Sequence, residues 1–205
     1  MLRAGLTGAM LSLVLAGAAA AEPFQSFVDL CLSTNAEAHA AEVAAKGSGW
    51  RDVTAQMAAD LGEGFQDLAA FLNFDPADAA SMSPDQSVEI LVTGWGDGEA
   101  VMETKGVVLD LCGVMSPQVD ALTMGKQLTD HLGMSPARTD DETVWLYSRR
   151  GDAFVSEAAL MDAGDEVFMA RTRERSLYAV YLFEEDGLAG LFVGAVRPEA
   201  KAADR

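Results

Sequence analysis

Histidine, cysteine and positive charge are scarce in this chain, and each scarcity removes a class of function. Only His39 and His131 stand among the 205 residues. Acid–base catalysis near neutral pH draws on imidazole more than on any other side chain. Cysteine occurs twice, as Cys31 and Cys112, and without a Cys-x-x-Cys pair a thioredoxin-type redox motif is absent. Lys and Arg total 14 against 32 Asp and Glu, for a net charge of -18. A surface that acidic repels phosphate backbones and anionic lipid, so nucleic-acid binding is excluded. Long apolar runs are missing after the first 21 residues. The longest candidate, Leu188 to Val196, is well short of the ~18 residues that a helix needs to cross a bilayer, so no integral membrane segment is expected there.

The first 21 residues read as a secretory signal peptide. Arg3 supplies a short positive region, Met10 to Gly17 an apolar stretch, and Ala19-Ala20-Ala21 a small-residue cleavage site before Glu22. Leu15-Ala16-Gly17-Ala18 puts alanine where a lipoprotein would need cysteine, so a lipid anchor is not expected. Residues 22–205 then form a single domain, periplasmic or secreted. Export exposes both thiols to oxidising conditions, and a Cys31–Cys112 disulfide is the default reading. It would staple the front of the chain to the remainder.

The fold class expected is α+β: a helical N-terminal third, then an antiparallel sheet with one inserted helix packed on it. Helical spacing covers Pro23 to Leu32. Thr34 and Glu37 form a capping-box pattern before an alanine-rich helix that stops at Gly47-Ser48-Gly49. A third helical region spans about Ala55 to Leu72, interrupted by Gly62 and Gly64. Strands follow at Ser87–Thr93, Glu99–Thr104 and Val107–Val114, with Gly94 to Gly98 as a turn. Ser116 is an N-cap candidate and Pro117 the first residue of the inserted helix, which ends at Gly133. Val144–Ser148, Ala153–Leu160, Glu166–Arg171, Leu177–Phe183 and Leu188–Val196 read as further strands, the last two joined by an Asp186-Gly187 hairpin.

No catalytic constellation emerges from these elements. Gly47-Ser48-Gly49 lacks the outer glycines of a nucleophile elbow, and Thr123 with Lys126 has only the spacing of a catalytic pair. Cys31, His39, Cys112 and His131 do not have zinc-site spacing, and the methionines from Met57 to Met169 are too scattered for a copper(I) carrier. Gly94, Gly96 and Gly98 have no following helix or phosphate-binding lysine. The acidic groups Asp97-Gly98-Glu99 and Asp162 to Glu166 lack the alternating oxygen ligands of a calcium loop. No cofactor and no metal are therefore expected. Arg171, Arg173 and Arg175 alternate, which in a strand would put three guanidinium groups on one side as an anion site. Trp50, Trp95 and Trp145 read equally as core or contact residues.

Aromatic residues ahead of Cys31-Leu32, then Thr34, an alanine-rich helix and Gly49-Trp50, resemble a group of small exported bacterial proteins of unknown function. The second cysteine on a strand, the helix ending before Gly133 and Trp145 on the next strand continue the likeness. What the resemblance implies is a periplasmic location and a two-cysteine disulfide pattern, with no catalytic residues to carry over.

Two functions remain. One is a non-enzymatic binding or interaction module whose negative field steers a basic periplasmic protein toward it. The other is a periplasmic hydrolase using a carboxylate pair.

Overall fold

A computed structural model describes residues 23–57, 65–81, 86–99, 105–137, 143–185 and 187–199. The signal-peptide reading falls on residues outside these, as does most of the strand expected at Glu99–Thr104.

The chain opens with α1 (Pro23–Phe27), which runs on as a π-helical turn, Val28–Leu32. Thr34 does not start the next helix. Its hydroxyl donates to the carbonyls of Leu30 and Cys31, closing the preceding turn. Glu37 caps α2 (Ala38–Gly47) instead, accepting from the Ala40 amide. Between the two helices Asn35 and Ala36 both adopt left-handed backbone, with φ of 56° and 59°, a conformation that costs about 1 kcal/mol or more for each non-glycine residue.

Eight strands then form one antiparallel sheet in the order β1-β2-β3-β4-β8-β7-β5-β6. They are β1 (Arg51–Asp52), β2 (Gln66–Leu72), β3 (Ile90–Asp97), β4 (Val107–Ser116), β5 (Val144–Arg150), β6 (Ala153–Ser156), β7 (Leu177–Glu185) and β8 (Leu188–Pro198). Helix α3 (Thr54–Met57) follows β1, α4 (Ala121–Leu132) joins β4 to β5, and α5 (Asp165–Glu174) precedes β7.

The register fixes which side chains meet the helices. Thr93 pairs with Cys112, Cys112 with Val193, Val193 with Val180, and Val180 with Trp145. Alternation along each strand then puts Leu91, Val114, Leu191, Tyr178 and Tyr147 on the same face. Phe27, Leu30, Cys31, Met124, Leu128 and Leu132 pack onto it as one core. Each large side chain buried there contributes about 1.5–3 kcal/mol of transfer free energy. A disulfide joins Cys31 to Cys112, both fully buried, across 81 positions. The other face is less completely covered, and Tyr181 remains 43% exposed.

Several expectations are corrected. The N-terminal third is not simply helical, because β1 and β2 lie within it and belong to the sheet. Gln66–Leu72 is a strand rather than the end of a helix; Ala69, Ala70 and Phe71 are buried in succession, so no period-two pattern betrays it. The sheet also carries more than one inserted helix, since Glu166–Arg171 lies in α5. Gly94 and Gly96 belong to β3 rather than to a turn: a Cβ on Gly94 would sit 2.5 Å from Leu68 Cδ2, so glycine serves close packing there. Ser116 ends β4, and Asp120 caps α4 through the Thr123 amide at 2.9 Å. The helix does end at Gly133, in left-handed backbone at φ 67°.

Candidate functional site

The end of the β7–β8 hairpin carries a cavity of about 400 Å³ lined by Val119, Glu184, Glu185, Gly187, Leu188 and Ala189. Glu184 pairs with Ala189 and Glu185 with Leu188 across the ladder. Gly187, at φ 79°, takes the left-handed conformation that the two-residue turn demands. Val119 reaches the cavity from the loop before α4, and a polar knot sets that loop. The Ser116 hydroxyl donates to Gln118 Oε1 at 2.9 Å, the Gln118 amide donates back to Ser116 Oγ, and the Val88 amide donates to the same Oε1. The lining thus sets Val119, Leu188 and Ala189 beside two exposed glutamates. Among the described residues neither carboxylate has a cation within ion-pair distance. As strand neighbours, Glu184 and Glu185 point to opposite faces.

A second polar cluster lies at the other end of the sheet. Asp110, on β4 and fully buried, accepts from Arg197 Nε at 2.6 Å and from the Ala38 amide at 3.4 Å, at the first turn of α2. Arg197 also donates to the Asn35 carbonyl and to the Tyr178 hydroxyl, and lies over the Tyr178 ring. Although burial opposes its charge, Asp110 and Tyr178 hold the Arg197 guanidinium above its ordinary pKa. Arg149 donates to the Leu32 carbonyl and to Asn35 Oδ1 and covers Phe154. Two arginines therefore grip the left-handed turn before α2. These hydrogen bonds make the cluster a clamp on that turn, while Arg149 Nε is buried with no hydrogen-bond partner among the described residues.

Glu89 is the third feature. It is 1% exposed, and among the described residues its Oε2 has no hydrogen-bond partner. Burial pushes its carboxyl above the usual range, opposed in part by the Ser26 and Ser87 hydroxyls. Its backbone is tied to Asn73 through the Asn73 amide and Asn73 Oδ1.

The residues singled out from sequence are dispersed. Arg171 pairs with Glu174 at 3.0 Å, Arg175 pairs with Glu157 at 2.8 Å, and Arg173 is exposed. On a helix, residues two apart lie on different sides, so the alternation does not align the three guanidiniums. Glu157 is also bound by the Ser148 hydroxyl at 2.6 Å. His131 stands between the rings of Phe24 and Phe154, and His39 is exposed on α2. Trp145 is core, donating to Thr129, whereas Trp50 packs against the core edge and Trp95 donates to Asp67. Among the described residues no group of three or more His, Cys, Asp or Glu side chains is placed to hold a metal ion. No helix among them is long and apolar enough to cross a membrane.

Sequence reasoning missed Glu89, Asp110, Arg149 and Arg197. The available signal was a charge inside an apolar strand, as in Val107-Val108-Leu109-Asp110-Leu111. Comparison with known proteins leaves the geometry to stand alone: no family, no curated protein and no solved structure matches this chain.

Proposed function

We propose that the protein is a non-enzymatic binding module that works outside the cytosol, in the periplasm or after secretion, and engages a basic partner at the β7–β8 cavity. The observation that carries the reading is that one hairpin end holds two exposed glutamates, neither ion-paired among the described residues, next to Val119, Leu188 and Ala189. A lysine or arginine side chain has the matching form, an apolar stem with a charged head. The net charge of -18 adds long-range attraction for such a partner. A buried disulfide fits an oxidising compartment.

Hydrolysis by a carboxylate pair has less in its favour. It needs two acids converging on one bond from about 5–9.5 Å apart, whereas Glu184 and Glu185 diverge. Glu89, whose carboxyl is held high, is closed to solvent.

Titrating a fluorescent lysine-rich peptide into the protein at rising salt tests the proposal. Affinity falls steeply with ionic strength. The Glu184→Gln/Glu185→Gln variant binds at least about fivefold more weakly at low salt, the effect of roughly 1 kcal/mol. Equal binding by wild type and variant would remove the site, and salt-independent binding would remove the electrostatic reading.

A further inference from the structure

The face of the sheet turned away from the disulfide core is apolar in the way of a surface that is covered rather than solvated. From Val107 to Met115 on β4 and from Leu188 to Pro198 on β8, every second residue points to it, and each is aliphatic, aromatic, proline or glycine. On β7 the same face carries a single charge, Glu185. An antiparallel sheet that faces water alternates polar side chains outward, and a chain with 32 Asp and Glu does not lack them. Helix α5 lies against β8 and ends three residues before Leu177, which is 1% exposed. Toward the hairpin the cover thins: Tyr181 is exposed, and Phe183, Phe192, Met115 and Leu188 are half-buried.

Register joins this open half to the cavity. Glu185 pairs with Leu188, Phe183 with Gly190 and Tyr181 with Phe192, and the next strand sets Met115 opposite Gly190 and Gly113 opposite Phe192. All of them lie on one face. Glu185 and Leu188 also line the cavity, so the two surfaces share an edge. Glycine keeps the surface low. A Cβ on Gly113 would sit 2.2 Å from Phe192 Cδ1, so the ring occupies the space over the Gly113 backbone. Phe183 and Phe192 meet edge to face with their centroids 5.7 Å apart. The hairpin end thus carries an aromatic shelf beside a carboxylate.

We infer that the partner of the β7–β8 site is an extended segment in which a lysine or arginine is followed two residues on by a phenylalanine or another large apolar side chain. The cation enters the cavity at Glu185, and the apolar group lies on the Phe183–Phe192 shelf. The inference rests on the binding reading above and names the class of partner. Residues two apart in an extended segment lie about 7 Å apart on one side, which is also the step from Glu185 to Phe183 along β7. A polar side chain in the second place would lose its water against rings and aliphatic groups, whereas an apolar one removes water from both surfaces. The net charge of -18 favours a cationic segment over an anionic one.

Fluorescence anisotropy with labelled short peptides tests this on the intact protein. The palindromic order Lys-Thr-Phe-Thr-Lys offers the spacing in either chain direction, and Lys-Thr-Ser-Thr-Lys keeps its charge. At low salt the first binds the wild type at least about tenfold more tightly than the second. Exchanging the phenylalanine with one threonine keeps the composition and loses most of that gain. Phe183→Thr, which puts a strand-forming residue in place of the ring, brings the two affinities within about twofold of each other. Glu184→Gln/Glu185→Gln weakens both peptides by a similar factor. Equal binding of the two peptides by the wild type, or a phenylalanine preference that survives in Phe183→Thr, would overturn the shelf and leave the cavity standing. Binding that ignores the glutamates would overturn both.

Discussion

Replacing Arg197 by methionine removes one partner of a pair that water scarcely reaches: the Asp110 side chain is 0% exposed and that of Arg197 12%. Exposed ion pairs contribute only about 0–1 kcal/mol, but removing one member of a buried pair costs about 3–5 kcal/mol, because the remaining charge stays desolvated. In a domain of this size each kcal/mol shifts the melting temperature by about 2–4 °C, so Arg197→Met lowers it by roughly 6–20 °C. Asp110→Asn costs less, about 1.5–3 kcal/mol, because Arg197 keeps the Asn35 carbonyl, the Tyr178 hydroxyl and a narrow path to water. The double variant Asp110→Leu/Arg197→Met buries no charge. It recovers most of the loss, short of roughly 1 kcal/mol for the lost contact to the start of α2. Urea unfolding followed by the fluorescence of buried Trp145 gives all four corners of this cycle. The sum of the single losses exceeds the double loss by at least about 2 kcal/mol. Additive losses, or an Arg197→Met cost under about 1 kcal/mol, would refute the claim that the pair acts as a closed unit.

Reducing the disulfide, or replacing both cysteines by alanine, destabilises the fold by up to roughly 4.5 kcal/mol, the chain-entropy value for a loop of 81 positions; equilibrium unfolding with and without reductant measures it. Gly190→Ala disrupts the β4–β8 ladder, because its Cβ would lie 2.4 Å from the Val114 carbonyl oxygen and 2.7 Å from Met115 Cα. It costs about 2–3 kcal/mol, whereas Gly194→Ala, with its nearest contact at 4.0 Å, leaves the melting temperature within a few degrees. The Glu89 carboxyl is held above its usual range, so the folded chain binds that proton more tightly than the unfolded one. This stabilisation is complete below about pH 4.3, the unfolded value, and is lost as pH rises through the folded value. Melting temperatures across that range fall with rising pH for the wild type and lose this component in Glu89→Gln.

The parts of the fold legible in the sequence are those set by local chemistry. Gly133 ends α4 and Gly187 stands between β7 and β8 because left-handed backbone has few candidate residues. The disulfide was readable because an oxidised chain with two cysteines has one intramolecular pairing. The misread elements are those whose identity is decided by what covers them. Gln66–Leu72 runs from two exposed residues into three buried in succession, Ala69, Ala70 and Phe71, so neither helical nor strand periodicity prevails in it. Val167-Phe168-Met169-Ala170 is apolar enough to pass for a strand, yet it forms an edge helix with Val167 48% exposed.

The buried charges divide along the same line. Asp110 lies opposite Ala195, and Arg197 two residues on is its diagonal neighbour across the β4–β8 ladder, within reach of a long side chain. Their pairing follows from register, and register across 87 positions is a property of the whole sheet. Glu89 lies one residue before β3, beside the end of β4, where the ladder places Ser116 and Ala189. Among the described residues the groups that meet its carboxyl are the hydroxyls of Ser87 and of Ser26 on α1, the helix laid over that end of the sheet. A strand charge that the ladder satisfies reports on architecture. One that the ladder leaves unsatisfied depends on the helix laid over it, which no strand pattern reports.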